Sequence, residues 1–166
     1  MTEKLFEALH NLPPDVIVAV LSAAPVSELR GGIPVGLLVL HLPLWRVWLT
    51  AVAANVLAVV PIVAGLDWLT ERLADKPVVG RLFRWSVGRA ERKRPLVDKY
   101  GFAALVFFCA VPLPGTGAWT SAVIGALVGM SFVRTMAAVT LGVLIASGLV
   151  TALTLAGVLV VQVGAP

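Results

Sequence analysis

The chain has 166 residues, 59% of them apolar and only 13% charged, with a formal net charge of +4. Soluble domains carry about 25% charged residues, and one this size has no way to hide so much apolar surface, so the chain reads as an integral membrane protein. A pI near 9.8 would also suit a nucleic-acid binder. Nine of the thirteen Lys and Arg, however, fall between Arg72 and Lys99, which makes the charge a local insert, and no nucleic-acid partner is expected.

Residues 1–15 are polar enough to stay outside the hydrocarbon, and Leu5, Phe6 and Leu9 form a small apolar face suited to a short interfacial helix. Pro13-Pro14-Asp15 then marks a turn and a helix start. The run Val16 to Ala24 ends in Ser22-Ala23-Ala24, like a signal-peptide cleavage site. The segment before it carries Glu3, Glu7 and Asp15 against Lys4, acidic where a signal needs positive charge, so cleavage is not expected. Val16 to Leu44 is apolar but interrupted by Pro25, Gly31, Gly32 and Pro34. Proline removes a donor and pushes its predecessor out of the helix, and glycine weakens it further, so two half-helices around a break at 25–34 are predicted.

Val47 to Leu66 is twenty residues without a charge, about what a helix needs to cross a hydrocarbon core of about 30 Å. Trp45 and Trp48 at one end and Trp68 at the other suit an aromatic belt. Asn55 and Pro61 lie inside this span and are expected to face protein. The insert that follows is basic and so faces the cytoplasm by the positive-inside rule. Val78, Val79, Leu82 and Phe83 share one face of it, as in an amphipathic helix lying on the anionic leaflet, although a solvated loop accounts for it equally well. Gly101 to Val133 is again uncharged, with an apolar run from Phe102 to Val111, a turn Pro112-Leu113-Pro114-Gly115-Thr116-Gly117, and a second run from Ala118 to Met130. Arg134 opens a final span rich in Gly, Ala, Ser and Thr.

The two halves share a layout. Pro25 lies twenty-one residues before Arg46, and Pro112 twenty-two before Arg134. If each broken segment is a re-entrant hairpin, each half crosses the membrane once and the second half is inverted, the plan of many secondary transporters. The predicted fold is therefore all-α: an inverted repeat, each half a re-entrant helical hairpin plus a long transmembrane helix. Repeat 1 covers about 13–71, the cytoplasmic insert about 72–99 and repeat 2 about 100–163, in one multi-pass domain of the cytoplasmic membrane. The two breaks would meet near the midplane.

Glu28 and Arg30 are the only charges between Asp15 and Arg46. A charge at a helix centre costs about 2.5–3.5 kcal/mol on the translocon scale, and desolvation penalises a carboxylate's charged form. Glu28 is therefore a candidate proton carrier, or a counter-ion for a cationic substrate, with Arg30 its partner. The alternative is a mutual pair that stitches the loop. The second break has no ionisable group and offers Thr116, Trp119, Thr120, Ser121 and freed backbone N–H groups. Arg46 and Arg134 begin the long spans, where snorkelling to headgroups is the first reading and contact with an anion the second. His10 and His41 are isolated, and Cys109 is the only cysteine, so no disulfide, metal or cofactor is expected. The sequence offers no nucleophile with a base and no carboxylate pair, so no enzyme is expected.

The stretch Ser27-Glu28-Leu29-Arg30-Gly31-Gly32-Ile33-Pro34-Val35-Gly36, followed later by Pro-Leu-Pro-Gly-Thr-Gly, resembles the family of putative small multidrug export proteins, distant relatives of the DedA membrane proteins. The resemblance covers roughly residues 12 to 160 and implies two re-entrant loops in an inverted repeat. It makes the expected function a secondary transporter or exporter of small molecules, possessing a substrate and ion site at Glu28, Arg30, Gly31, Gly32 and Pro34 of the first break and Pro112, Pro114, Gly115, Thr116 and Gly117 of the second. The alternative it carries is a DedA-like flippase of polyprenyl-phosphate or other lipid, or a membrane-integrity protein. Expected partners are membrane lipids and the transported molecule, and a homo-oligomer is compatible with the sequence.

Overall fold

A computed structural model describes residues 12–73, 100–111 and 116–164, which form helices and turns with no strand among them. The expected interfacial helix at the N-terminus and the basic insert lie outside the described residues. The elements are α1 (Pro14–Ala23), α2 (Glu28–Pro34) running into a π-helical turn (Val35–Val39), α3 (Leu44–Leu73), α4 (Phe102–Ala110), α5 (Ala118–Leu127) and α6 (Phe132–Gly164). Each half is thus two short helices followed by one long one.

The short helices end where proline dictates. Ala24 precedes Pro25 and is extended, at φ −70° and ψ 136°. Val111 precedes Pro112 and is extended too, at φ −75° and ψ 120°. The first break is narrower than predicted. It is confined to the residues between Ala23 and Glu28, and Gly31, Gly32 and Pro34 lie inside helical structure. Glycine's helix penalty of about 1 kcal/mol is outweighed here by the packing it permits.

The described residues fall into two compact units, one holding 1–55 with 146–166 and the other 56–145. In the first, α1 and α2 run antiparallel. A methyl on Gly32 would collide with Ser22 Oγ and stand 3.1 Å from the Val18 carbonyl oxygen, and one on Gly36 would stand 3.0 Å from Val18 and 2.8 Å from Val47 of α3. Farther along α3, Asn55 reaches the Ser22 carbonyl at 2.7 Å. In the second unit, a methyl on Gly125 of α5 would stand 3.1 Å from Leu105 of α4 and 2.5 Å from Thr135 of α6. One on Gly142 of α6 would collide with Cys109 Cβ and stand 3.0 Å from the Val106 carbonyl.

The registers correspond. Val47 and Thr135 are each the fourth residue of a long helix, and Ser22 and Cys109 each the last but one of a first short helix. The second short helices also close alike. Gly129, at φ 75°, lets Met130 N–H reach the Gly125 carbonyl at 3.0 Å. In the first unit His41 takes the left-handed position, at φ 49°, and Leu42 N–H reaches the Gly36 carbonyl at 3.0 Å, one residue wider because of the π turn.

Among the described residues two stretches are long and apolar enough to cross a membrane, Leu44–Gly65 and Phe132–Gly157, and only 28% and 39% of their most apolar windows is buried. A soluble core helix would be mostly covered. Val26 (94% exposed), Phe107 (71%) and Val133 (75%) add to the uncovered apolar surface, which fits lipid as solvent. Asn55 is buried as expected, whereas Pro61 is exposed, so its ring adds to that surface rather than packing on protein.

Gly142→Ala is expected to lower stability by about 1–3 kcal/mol through overpacking, because the Val106 backbone has nowhere to go. Gly148, with nothing within 4 Å of a methyl, is the control, and Gly148→Ala should gain about 0.5–1 kcal/mol. Thermal unfolding of the two purified variants in detergent checks the pair; shifts of the same sign would contradict the packing described.

Candidate functional site at the first helix break

The tip of the first hairpin is built from the last turn of α1 and the first of α2. Here α1 gives up its carbonyls one by one: Val20 accepts from Ala24 N–H at 3.1 Å, Leu21 from the Ser27 hydroxyl at 2.5 Å, Ser22 from Asn55 Nδ2 at 2.7 Å, and Ala24 from Glu28 N–H at 3.0 Å. These carbonyls at the helix end thus find partners within the protein.

Glu28 opens α2 only 7% exposed and at φ 47°. A non-glycine residue in that region costs about 1–3 kcal/mol and persists where its surroundings hold it there, which is commonest at functional sites. Arg30, half-buried, follows on the same turn. Gly31 sits against Ser27, where a methyl would stand 2.7 Å from its Cβ, and Pro34 leads into the π turn. The five predicted residues of this break thus share two turns of α2 rather than an open loop.

The residues that sequence reasoning missed are Ser22 and Asn55. Ser22 drew attention only as part of a cleavage-like tripeptide, and Asn55 only as a polar residue within a span. Asn55 is 1% exposed, and its Oδ1 has no hydrogen-bond partner; neither has the Ser22 hydroxyl, which is fully buried. The available signal was Asn55's isolation at the centre of an uncharged run.

At the far end of the same unit Arg46 grips Asp15 with two parallel bonds, Nε to Oδ1 at 2.7 Å and Nη2 to Oδ2 at 2.5 Å. The sequence reading gave Arg46 to lipid or an anion, whereas here a carboxylate of the chain meets it. The pair is part-exposed, so its contribution is at most about 1 kcal/mol, and its effect is to tie the start of α1 to the start of α3. Arg134 holds the same third place in α6 and is half-buried.

The second break is described only in part, and Pro112, Pro114 and Gly115 lie outside the described residues. Thr116 donates its hydroxyl to the Val111 carbonyl at 2.7 Å. Gly117, at φ 138° and ψ −167°, takes a conformation essentially closed to other residues and starts α5. Ser121 is fully buried with an unpaired hydroxyl. Away from this break, between the start of α4 and the end of α5, opens an apolar cavity of about 260 Å³ lined by Leu105, Phe108, Ile124, Val128 and Met130 among others. No group of three His, Cys, Asp or Glu suited to a metal ion occurs among the described residues.

The first break thus carries one buried carboxylate, Glu28, beside the close-packed ends of α1 and α2. No curated protein and no solved structure matches the chain. One family model does, described as "Putative small multi-drug export protein", and it covers residues 28–149, from Glu28 through α3 and into the first half of α6. With most of its length inside that match, this helical membrane protein belongs to the small multidrug export family.

Proposed function

We propose that the protein is a multi-pass secondary transporter of the cytoplasmic membrane that exports small molecules, with Glu28 as the carboxylate that binds the coupling ion or a cationic substrate. The observation that carries this is the buried Glu28, on a strained backbone, at the tip of a hairpin whose first helix is half as long as a membrane is thick. α1 has ten residues, about 15 Å of helix against a core of about 30 Å. Asn55, level with the tip, lies eleven residues into the 22-residue span Leu44–Gly65, which is near its midpoint. A hairpin entering from one face would thus bring Glu28 close to the midplane, where a charge is dear and is retained for use. Each half would then cross once, and the halves would be inverted. Membrane lipid is the expected surrounding, and no catalytic step is assigned.

A lipid-phosphate transporter of DedA type is the second reading, favoured by the apolar cavity between α4 and α5, whose lining suits an acyl chain. It predicts movement of labelled lipid between leaflets, where the first reading predicts movement of soluble organic cations.

Glu28→Gln keeps shape and removes charge. In proteoliposomes it is expected to abolish gradient-driven accumulation of a cationic dye while the protein still folds, and Arg30→Ala to reduce it. If neither changes transport, Glu28 and Arg30 do not form the site. Topology is checked by single cysteines at Ser27, Trp68, Ser86 and Thr116 in a Cys109→Ala background, labelled from outside intact cells. Ser27 should label directly, and Ser86 and Thr116 only after permeabilisation. Labelling of Ser27 and Thr116 from the same side would end the inverted plan.

A further inference from the structure

In the second unit α4 and α5 are pressed together at one level and part at another. They meet at Gly125, where a methyl would stand 3.1 Å from Leu105. Beyond that contact α5 ends at Leu127 and the chain turns back through Gly129, at φ 75°. Facing this end, Gly101 and Ala104 lie at i and i+3 on one side of α4 and have almost no side chain to fill the gap. The cavity of about 260 Å³ is the result. Leu105 and Met130 are its most buried lining, whereas Ala104 is exposed and Phe108 and Val128 are half-buried, so it opens outward. Residues three apart are neighbours on a helix surface. Phe107 therefore flanks Ala104, and Leu127 flanks Ile124, and both are exposed. The mouth thus opens onto the apolar surface that lipid covers.

We propose that this cavity binds one acyl chain of a membrane phospholipid, inserted from the surrounding bilayer between the start of α4 and the end of α5. The lining side chains are apolar, so an ion or an organic cation would lose its hydration and meet no counter-charge. Water is excluded for the same reason: a cavity of about 150 Å³ lined by Leu, Ile and Phe stays dry yet admits benzene. A void left unfilled forfeits the dispersion contacts of its walls, and hydrocarbon is what stands at this mouth. Met130, unbranched and flexible, suits a chain whose conformation varies. The bound chain takes the place of the side chains that Gly101 and Ala104 lack and so braces the second hairpin. The site goes beyond the lipid-transport reading, because a chain held here need not belong to a lipid that is moved.

The test is photo-crosslinking of the full-length protein in phosphatidylcholine vesicles that contain a phosphatidylcholine with a diazirine midway along one chain. After irradiation the modified residues are mapped by mass spectrometry. Adducts are expected on the buried lining, Leu105 and Met130, as well as on Phe107 and Leu127, which any surrounding lipid reaches. Since about 150 Å³ accommodates a benzene ring, the phenyl group of Ala104→Phe takes up more than half of the cavity. That variant is expected to lose the adducts on Leu105 and Met130 and to keep those on Phe107 and Leu127. Should Ala104→Phe fail to fold, Val128→Phe, which fills the cavity from the other helix, decides. Labelling of Phe107 and Leu127 alone in the unaltered protein overturns the site. So do lining adducts that persist in the filled variant, or their loss when the cationic dye used for transport is added, which would give the cavity to the transported molecule. Lining adducts without movement of lipid between leaflets would sink the lipid-transport reading alone, and lipid movement without lining adducts would sink the site alone.

Discussion

A residue that precedes proline is held out of the helical region by the proline ring, and twice in this chain that exclusion falls in the middle of an apolar run. Ala24 and Val111 are the two residues concerned. Each run would otherwise be long enough to approach a full crossing. Cut in two, it yields helices of nine or ten residues ahead of the break, about half the length a crossing takes. The freed backbone groups need partners that lipid does not supply, and the chain provides them from Ser27, Asn55 and Thr116. The capping hydroxyls and the buried amide answer to those two interruptions.

Close packing then fixes the hairpins. Without a hydrophobic drive between helices in lipid, contact depends on small residues, and Gly32, Gly36, Gly125 and Gly142 stand where neighbouring helices approach too near for a methyl. Equivalent registers are used in both units. The chemistry at those registers differs, however. Ser22 and Asn55 face each other in the first, while Cys109 in the second packs on Gly142 and points its thiol at the Val139 carbonyl, 3.6 Å away. The polar machinery is concentrated in one half and the apolar cavity lies in the other.

Much of this was legible in the residues. Uncharged length located α3 and α6, and proline located both breaks, because each is a local and strong signal. The extent of the first break was not legible: Gly31-Gly32 weakens a helix considered alone, and only the neighbouring Ser22 and Val18 reveal why glycine is needed there. Glu28 and Arg30 stood out by charge, yet the left-handed backbone of Glu28 has no sequence signature, since glycine is the usual occupant. Asp15 and Arg46 are thirty-one residues apart, and no periodicity links them. Ser22 looked like a spacer, and its role depends on Asn55 approaching from another helix. Pro61 gave a false lead, because proline within a span is tolerated on an exposed face as well as a packed one.

The glycine contacts also bear on motion. Helices pressed together at backbone distance cannot slide or tilt against each other without separating, so α1 and α2 move, if at all, as one stiff body. Gly36, inside the π turn, shares that packing, so the stretch that leaves the body is the corner from Leu40 to Pro43, where His41 takes the left-handed backbone before α3. A hinge there would swing the hairpin tip through an arc while leaving the close-packed α1–α2 contact undisturbed. The place to look for alternative conformations in this half is therefore residues 40–43, some distance from the polar tip whose position they set.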